Sequence, residues 1–114
     1  MLESPISNVA TDVTVAFSDT FGVSPSDSSA ETRVVEEIDF MRWYLAYCNM
    51  VARDDEKTCH KVDGTRDGNL SSLTASELAG RDRYLQPRYD AVDDAQEKLN
   101  RALALAAAFG YRAA

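Results

Sequence analysis

The chain contains few residues whose types and spacing would support catalysis. Cys59 and His60 are adjacent, and a cysteine activated by a histidine is a common enzymatic nucleophile. Such a pair needs a third group that orients the histidine, and no spacing selects among Asp54, Asp55 and Asp63. His60 is the only histidine, so the pair also lacks the four ligands of a structural zinc site. The sequence therefore predicts a solvated histidine at a helix end, no bound cofactor and no enzyme.

The strongest motif lies in the segment "VDGTRDGNLSSLTASELAG", residues 62–80. Oxygen-bearing side chains recur there at alternate positions, with a glycine, Gly68, at the sharp turn. This pattern resembles the calcium-binding loop of an EF-hand. The resemblance implies weak cation ligands at Asp63, Thr65, Asp67, Asn69 and Ser71.

The last position of this loop departs from the EF-hand pattern. The family places a bidentate glutamate there, whereas this chain has Thr74. Thr74 also fits a helix N-cap, with Glu77 three residues later and the flanking pair Leu73 and Leu78 completing a capping box and hydrophobic staple. The cap is the favoured interpretation, so no metal site is predicted, and a degenerate EF-hand-like module stays an alternative.

A third group of chemically active residues is a cluster of carboxylates late in the chain. On a helix these side chains spread over one polar face, with basic residues near them, which is typical of a solvated face with salt bridges. An alternative interpretation of this carboxylate-rich face is that the protein is an acidic inhibitor that mimics nucleic acid. The carboxylates are Asp90, Asp93, Asp94 and Glu97, and the basic residues are Arg88, Lys98 and Arg101.

Composition restricts the possible partners. The chain has 114 residues and a formal charge of −7, and an acidic chain without a basic stripe is a poor match for a nucleic-acid backbone. No signal peptide is recognisable, and the longest nearly apolar run, residues 102–110, is too short to cross a bilayer. We therefore expect no direct nucleic-acid or membrane partner, and a location in the cytoplasm or in a particle assembled there.

Residues 9–17 alternate between apolar and polar side chains, which indicates a β-strand. No second strand is available to pair with it, so the arm is either mobile in the free protein or adds to a sheet supplied by another copy or another protein. We therefore expect an extended, β-prone arm and linker over 1–29 and a helical hairpin domain over 30–114. The arm contributes Val13, Val15 and Phe17 to the predicted interface.

The first long helix is predicted to begin near Ser28 and to end between Arg53 and Val62. An apolar seam follows steps of four and three, as in helix-on-helix packing. It consists of Val34, Ile38, Met41, Leu45, Cys48 and Ala52. A second apolar set widens the seam beyond half of the circumference, more than one neighbouring helix can cover. This set contributes Phe40, Trp43, Tyr44, Tyr47 and Val51 to the predicted interface. Contact with a partner is the favoured interpretation, and the alternative is that the polar tips of the Tyr and Trp side chains lie half exposed.

The second long helix is predicted to run from the Thr74 cap to about Phe109, with Gly110 as the left-handed C-cap. Pro87 lacks a backbone donor and collides with the preceding turn. We therefore expect a kink or break there, giving a short helix over 75–85 and a long one over 87–109.

Together these patterns predict a mainly α protein, an αα-hairpin of two long helices, the second kinked near Pro87, with a β-prone N-terminal arm. The predicted function is that of a non-enzymatic structural protein, a small acidic helical subunit that assembles into a homo-oligomer or larger complex through protein partners. In architecture alone it is similar to connector, adaptor and cement subunits of tailed-virus particles, which implies a virion component.

Overall fold

The computed structural model describes residues 5–65 and 69–112. Within these ranges the chain is mainly helical and contains no strand. The helices are α1 (Pro5–Phe21), α2 (Ala30–Asp63) and α3 (Ala75–Ala108). The mainly α class expected from the sequence is therefore confirmed.

The extended arm predicted from residues 9–17 is wrong, because this segment lies inside α1. Its alternating pattern also contains a spacing of four, and Val13, Phe17 and Phe21 fall on one side of a helix at that spacing. Phe17 and Phe21 are both buried. A helix satisfies its own backbone hydrogen bonds, whereas a lone strand would leave them unpaired.

Helix α2 begins close to the predicted position and ends one residue beyond the predicted range. Before its first turn, the carboxylate of Asp27 accepts hydrogen bonds from the backbone N–H and the hydroxyl of Ser29, at 2.8 and 2.7 Å. After its last turn, Gly64 takes a φ of 75°. This left-handed residue lets the N–H of Thr65 donate to the carbonyl of His60 at 3.0 Å, which closes the helix.

Both caps predicted for α3 are present. The N–H of Glu77 donates to Oγ1 of Thr74, and the N–H of Thr74 donates to Oε1 of Glu77, both at 3.1 Å. At the other end Gly110 has a φ of 82°, and the N–H of Tyr111 donates to the carbonyl of Ala106 at 2.9 Å. The reciprocal bonds at the start of α3 and the Tyr111 bond at its end satisfy groups that a bare helix end leaves unpaired.

The break predicted at Pro87 is wrong, because α3 continues through this residue. Proline removes one backbone donor, but packing on both sides holds the helix together: Leu85 and Ala95 are buried. Beside the proline, the guanidinium of Arg88 donates to the carbonyl of Tyr84 at 2.9 Å. The kink itself stays a prediction.

Contacts divide the chain into two compact units, Met1–Arg42 with Glu97–Ala114, and Trp43–Gln96. The first unit has an aromatic core. The Phe17 ring lies 4.7 Å from that of Phe21, 5.1 Å from that of Phe109 and 5.9 Å from that of Tyr111. The hydroxyl of Tyr111 donates to the carbonyl of Pro25 at 2.6 Å, which fastens the end of the chain to the segment after α1.

The second unit contains the end of α2, the connecting turn and the first part of α3. The contact at the end of α2 is made near the start of α3, and the contacts made earlier in α2 lie later in α3, as in antiparallel helices. The contacts join Asp55 to Arg88, Glu56 to Tyr89 and Asp63 to Arg81. The domain boundary expected between residues 29 and 30 stays a prediction.

Candidate interaction surface

The second unit exposes a group of large apolar side chains on α2. Trp43 is 61% exposed, Tyr44 44%, Tyr47 46% and Met50 52%. We call these four residues the aromatic surface. Apolar side chains exposed singly are normal on a protein, but a contiguous group of them marks an interaction site.

The rings of the aromatic surface are stacked against one another. Trp43 and Tyr47 lie 5.7 Å apart with an angle of 14° between their planes, because residues four apart are neighbours on a helix. Tyr44 lies 6.4 Å from Tyr47, at 27°. Tyr47 therefore contacts two rings, and a surface with restricted rotamers loses less entropy when a partner covers it.

A groove of about 250 Å³ lies beside the aromatic surface, between α2 and α3. Arg88 on its α3 side is held by Asp55, whose carboxylate accepts a hydrogen bond from Nε at 2.7 Å. This bond raises the pKa of the Arg88 guanidinium. The same guanidinium lies 4.4 Å from the ring centre of Tyr84, in cation–π geometry. The groove is lined by Tyr44, Tyr47, Cys48, Val51, Pro87, Arg88 and Ala91.

The remaining residues of the predicted interface have different surroundings. Val51, in the second unit, is half-buried. In the first unit Phe40 is 57% and Val15 53% exposed, and Val13 is half-buried. Phe17 is fully buried in the aromatic core. It therefore contributes to folding and is not part of the surface that a partner can contact.

The predicted cation ligands belong to two separate hydrogen-bonded turns, and Asp67 lies outside the described residues. One oxygen of Asp63 accepts a hydrogen bond from the Thr65 hydroxyl at 2.5 Å, and the other accepts one from Arg81 at 3.1 Å. The side-chain oxygen of Asn69 accepts from the N–H and the hydroxyl of Ser71. The oxygens of Asp63 therefore close the turn, and the cation-binding alternative stays a prediction.

These contacts also define the charge of Asp63. The hydrogen bond from the Thr65 hydroxyl is the main cause that lowers the pKa of the Asp63 carboxyl. Burial acts in the opposite direction, and the Thr65 N–H and Arg81 lower the pKa further. Hydrogen bonds to the ionised form favour that form. The turn is therefore built around a carboxylate, with Thr65 fully buried beneath it.

His60 has a structural role in the same turn. Its Nδ1 lies 2.9 Å from Oγ1 of Thr65, and that hydroxyl already donates to Asp63. The oxygen can therefore only accept from His60, so Nδ1 carries a proton and donates. Next to it, burial raises the pKa of the Cys59 thiol, which keeps the sulfur in its less nucleophilic form.

The acidic residues of α3 form local bonds. In the second unit Asp90 accepts a hydrogen bond from Gln86 at 2.8 Å. In the first unit Glu97 pairs with Arg101 at 2.8 Å, with both side chains well exposed. Arg88, which the sequence placed near these carboxylates, instead pairs with Asp55 on α2. Sequence reasoning missed Arg81 and the pairs across the two helices, which only the register of a hairpin would reveal.

Three further findings bear on function. Within residues 5–65 and 69–112, no three histidine, cysteine or acidic side chains come together as a possible metal site. In the same part of the chain, no helix combines the length and apolarity needed to cross a membrane. Comparison of the chain with protein-family models, with curated proteins and with solved structures found no match.

Proposed function

We propose that this chain is a non-enzymatic assembly subunit, which associates with protein partners through the aromatic surface. The observation that carries this proposal is the stacked pair Trp43 and Tyr47, whose rings are 61% and 46% exposed. Tryptophan and tyrosine are the residues that most often dominate binding energy in protein interfaces. Each buries a large area at a small cost in conformational entropy.

The proposed architecture is an αα-hairpin of α2 and α3. The reverse order of the contacts between them in the second unit supports it, as does the Asp63 network at the turn. The aromatic surface runs along α2 with Tyr44 and Tyr47 at the rim of the groove between the two helices. All four of its side chains are exposed, which is why we propose that a further chain covers it.

The aromatic surface has a chemical composition suited to a protein partner. Tyrosine hydroxyls and the tryptophan N–H give it polar groups at the edge of an apolar area. This composition is usual at the interfaces of reversible complexes. The proposed products are a homo-oligomer or a larger complex. Membership of a virus particle, as a connector, adaptor or cement subunit, rests on architecture alone and stays a prediction.

The proposal is tested by the molar mass of the purified chain, measured by light scattering over a range of concentrations, and by binding of a dye that fluoresces on apolar surfaces. We expect a mass above 12.6 kDa or, if the partner is another protein, a monomer that binds the dye. The Trp43→Ser, Tyr47→Ser double variant should be a monomer and should not bind the dye.

A matched control is Val62→Ser, which removes an apolar side chain that is 83% exposed on the same helix. This variant should keep the mass and the dye binding of the parent chain. A parent chain that stays monomeric at every concentration and binds no dye would overturn the proposed function. So would a double variant, helical by circular dichroism, with unchanged mass and dye signal.

A further inference from the structure

We propose that the partner of the aromatic surface is a second copy of this chain, whose α2 lies antiparallel to the first about a two-fold axis that passes between Ala46 and Met50, at the level of the buried Cys48. This inference rests on the proposed function and names its partner. It follows from a narrow row of residues on α2 whose sizes and charges complement one another about a single midpoint.

The row lies on one exposed side of α2 within the second unit. Its members are separated by three, four and three positions, the spacing that places side chains on one side of a helix. They lie beside a surface depression of about 510 Å³, which Met50 and Ala46 help to line. The row consists of Trp43, Ala46, Met50 and Arg53, and all four are exposed.

The first complementary pair is one of size. Ala46 leaves a gap in the row, and Met50 provides a long, flexible side chain suited to filling such gaps. Cys48 lies midway between them in the sequence. A two-fold axis at that level brings Met50 of each chain over Ala46 of the other, so one operation satisfies both contacts, as an isologous interface requires.

The second complementary pair is a cation and an aromatic ring. Trp43 and Arg53 lie at equal distances on either side of the same midpoint, Cys48. The same two-fold axis therefore brings the guanidinium of each chain to the indole of the other. A cation over a tryptophan ring is favourable, and the chain already contains one such contact, between Arg88 and Tyr84 at 4.4 Å.

The charges also distinguish the antiparallel arrangement from a parallel one. In a parallel pair of helices each residue faces its own copy, so Arg53 would face Arg53 and Met50 would face Met50. Like charges at close range are unfavourable, and the gap at Ala46 would stay empty. Antiparallel helices also place their dipoles in opposite directions. We therefore assign the antiparallel arrangement.

The test is cysteine cross-linking between chains. In a background with Cys48→Ala and Cys59→Ala, one preparation carries Ala46→Cys and the other Met50→Cys, each with a different affinity tag. Cysteines at these positions would face each other in the antiparallel pair, within disulfide reach. After mild oxidation of the mixture we expect a covalent dimer that carries both tags.

Two controls define the expected pattern. Each variant oxidised alone should form several-fold less covalent dimer than the mixture. An Asp82→Cys variant, at an exposed position on α3, should not cross-link to either. A mixture that cross-links no better than the separate variants, or a dominant dimer of each variant with itself, would overturn the antiparallel pairing.

A second measurement uses the native cysteines, in case the substituted background does not fold. Arg53→Glu should raise the dissociation constant of the dimer roughly tenfold, since two cation–π contacts are lost. Arg83→Glu makes the same charge change at an exposed position on α3 and should leave the constant unchanged. Equal effects of the two variants would contradict the register.

The results also separate this inference from the proposed function. A parent chain that is monomeric but binds the dye, and loses the dye signal in the Trp43→Ser, Tyr47→Ser variant, would overturn self-pairing and leave assembly with another protein standing. A monomer without dye binding would overturn both. A dimer with the wrong cross-links would overturn only the arrangement proposed here.

Discussion

The guanidinium of Arg81, near the start of α3, lies 3.1 Å from the carboxylate of Asp63, at the end of α2. Both side chains are largely buried, at 10% and 16% exposure. Thr65 connects these two side chains, because its hydroxyl donates to Asp63 and its Oγ1 lies 3.3 Å from Arg81. A short polar network therefore fixes how the two helices meet at the turn.

Removing the Thr65 hydroxyl should destabilise the turn. Thr65→Val leaves Asp63 without its hydroxyl donor and His60 Nδ1 without its acceptor, both in a partly buried site. We expect the free energy of unfolding in urea to fall by about 1–3 kcal/mol. Thr58→Val, at an exposed position on α2, should cost much less. Equal losses would contradict the role of the network.

The pair Tyr89 and Glu56 should make stability depend on pH in the alkaline range. The hydroxyl of Tyr89 donates to Glu56, and this bond, with burial, raises the pKa of Tyr89 from 10.0 to about 12. The raised value means that the stabilisation is complete below pH 10 and is lost as the pH rises towards 12.

The measurement is the melting temperature of the parent chain and of Tyr89→Phe across this range of pH. The difference between them should be constant below pH 10 and should shrink above it. Tyr84→Phe removes a hydroxyl from a more exposed ring of the same helix, 41% exposed, and should give no comparable trend. A Tyr89→Phe difference that stays constant throughout would contradict the assignment.

The aromatic core of the first unit should depend on Phe17. Its ring is fully buried against Phe21 and Phe109, so Phe17→Ala leaves a cavity. We expect a loss of about 3–5 kcal/mol in the free energy of unfolding, measured in urea. Val15→Ala, two residues earlier and 53% exposed, is the control and should cost well under 1 kcal/mol. Similar losses in both variants would contradict the packing of α1 described above.

The capping box should stabilise the start of α3. Thr74→Ala removes the hydroxyl that accepts from the N–H of Glu77, and substitutions of this kind cost about 1 kcal/mol. Ser76→Ala, in the same turn and exposed, should leave the midpoint of urea unfolding almost unchanged. If Thr74→Ala behaved like Ser76→Ala, the cap would contribute nothing to stability.

Local signals predicted the parts of the fold that depend on local chemistry. The Thr74 and Glu77 cap and the Gly110 terminus are present as expected, because each needs only residues within one or two turns. The seam of α2 was also predictable, and its members Val34, Ile38 and Cys48 are buried. Exposed Trp43 and Tyr47 follow from the same periodicity, since residues four apart share one side of a helix.

The tertiary structure decided the remaining features. The segment around Phe17 fits a strand or a helix by its pattern, and in the structure Phe17 and Phe21 are buried whereas Val15 is exposed, which is the periodicity of a helix. The contact of Asp63 with Arg81, 18 positions along the sequence, is likewise visible only in the tertiary structure. Spacing along a chain specifies which residues share a face, whereas only packing between distant segments specifies what that face contacts.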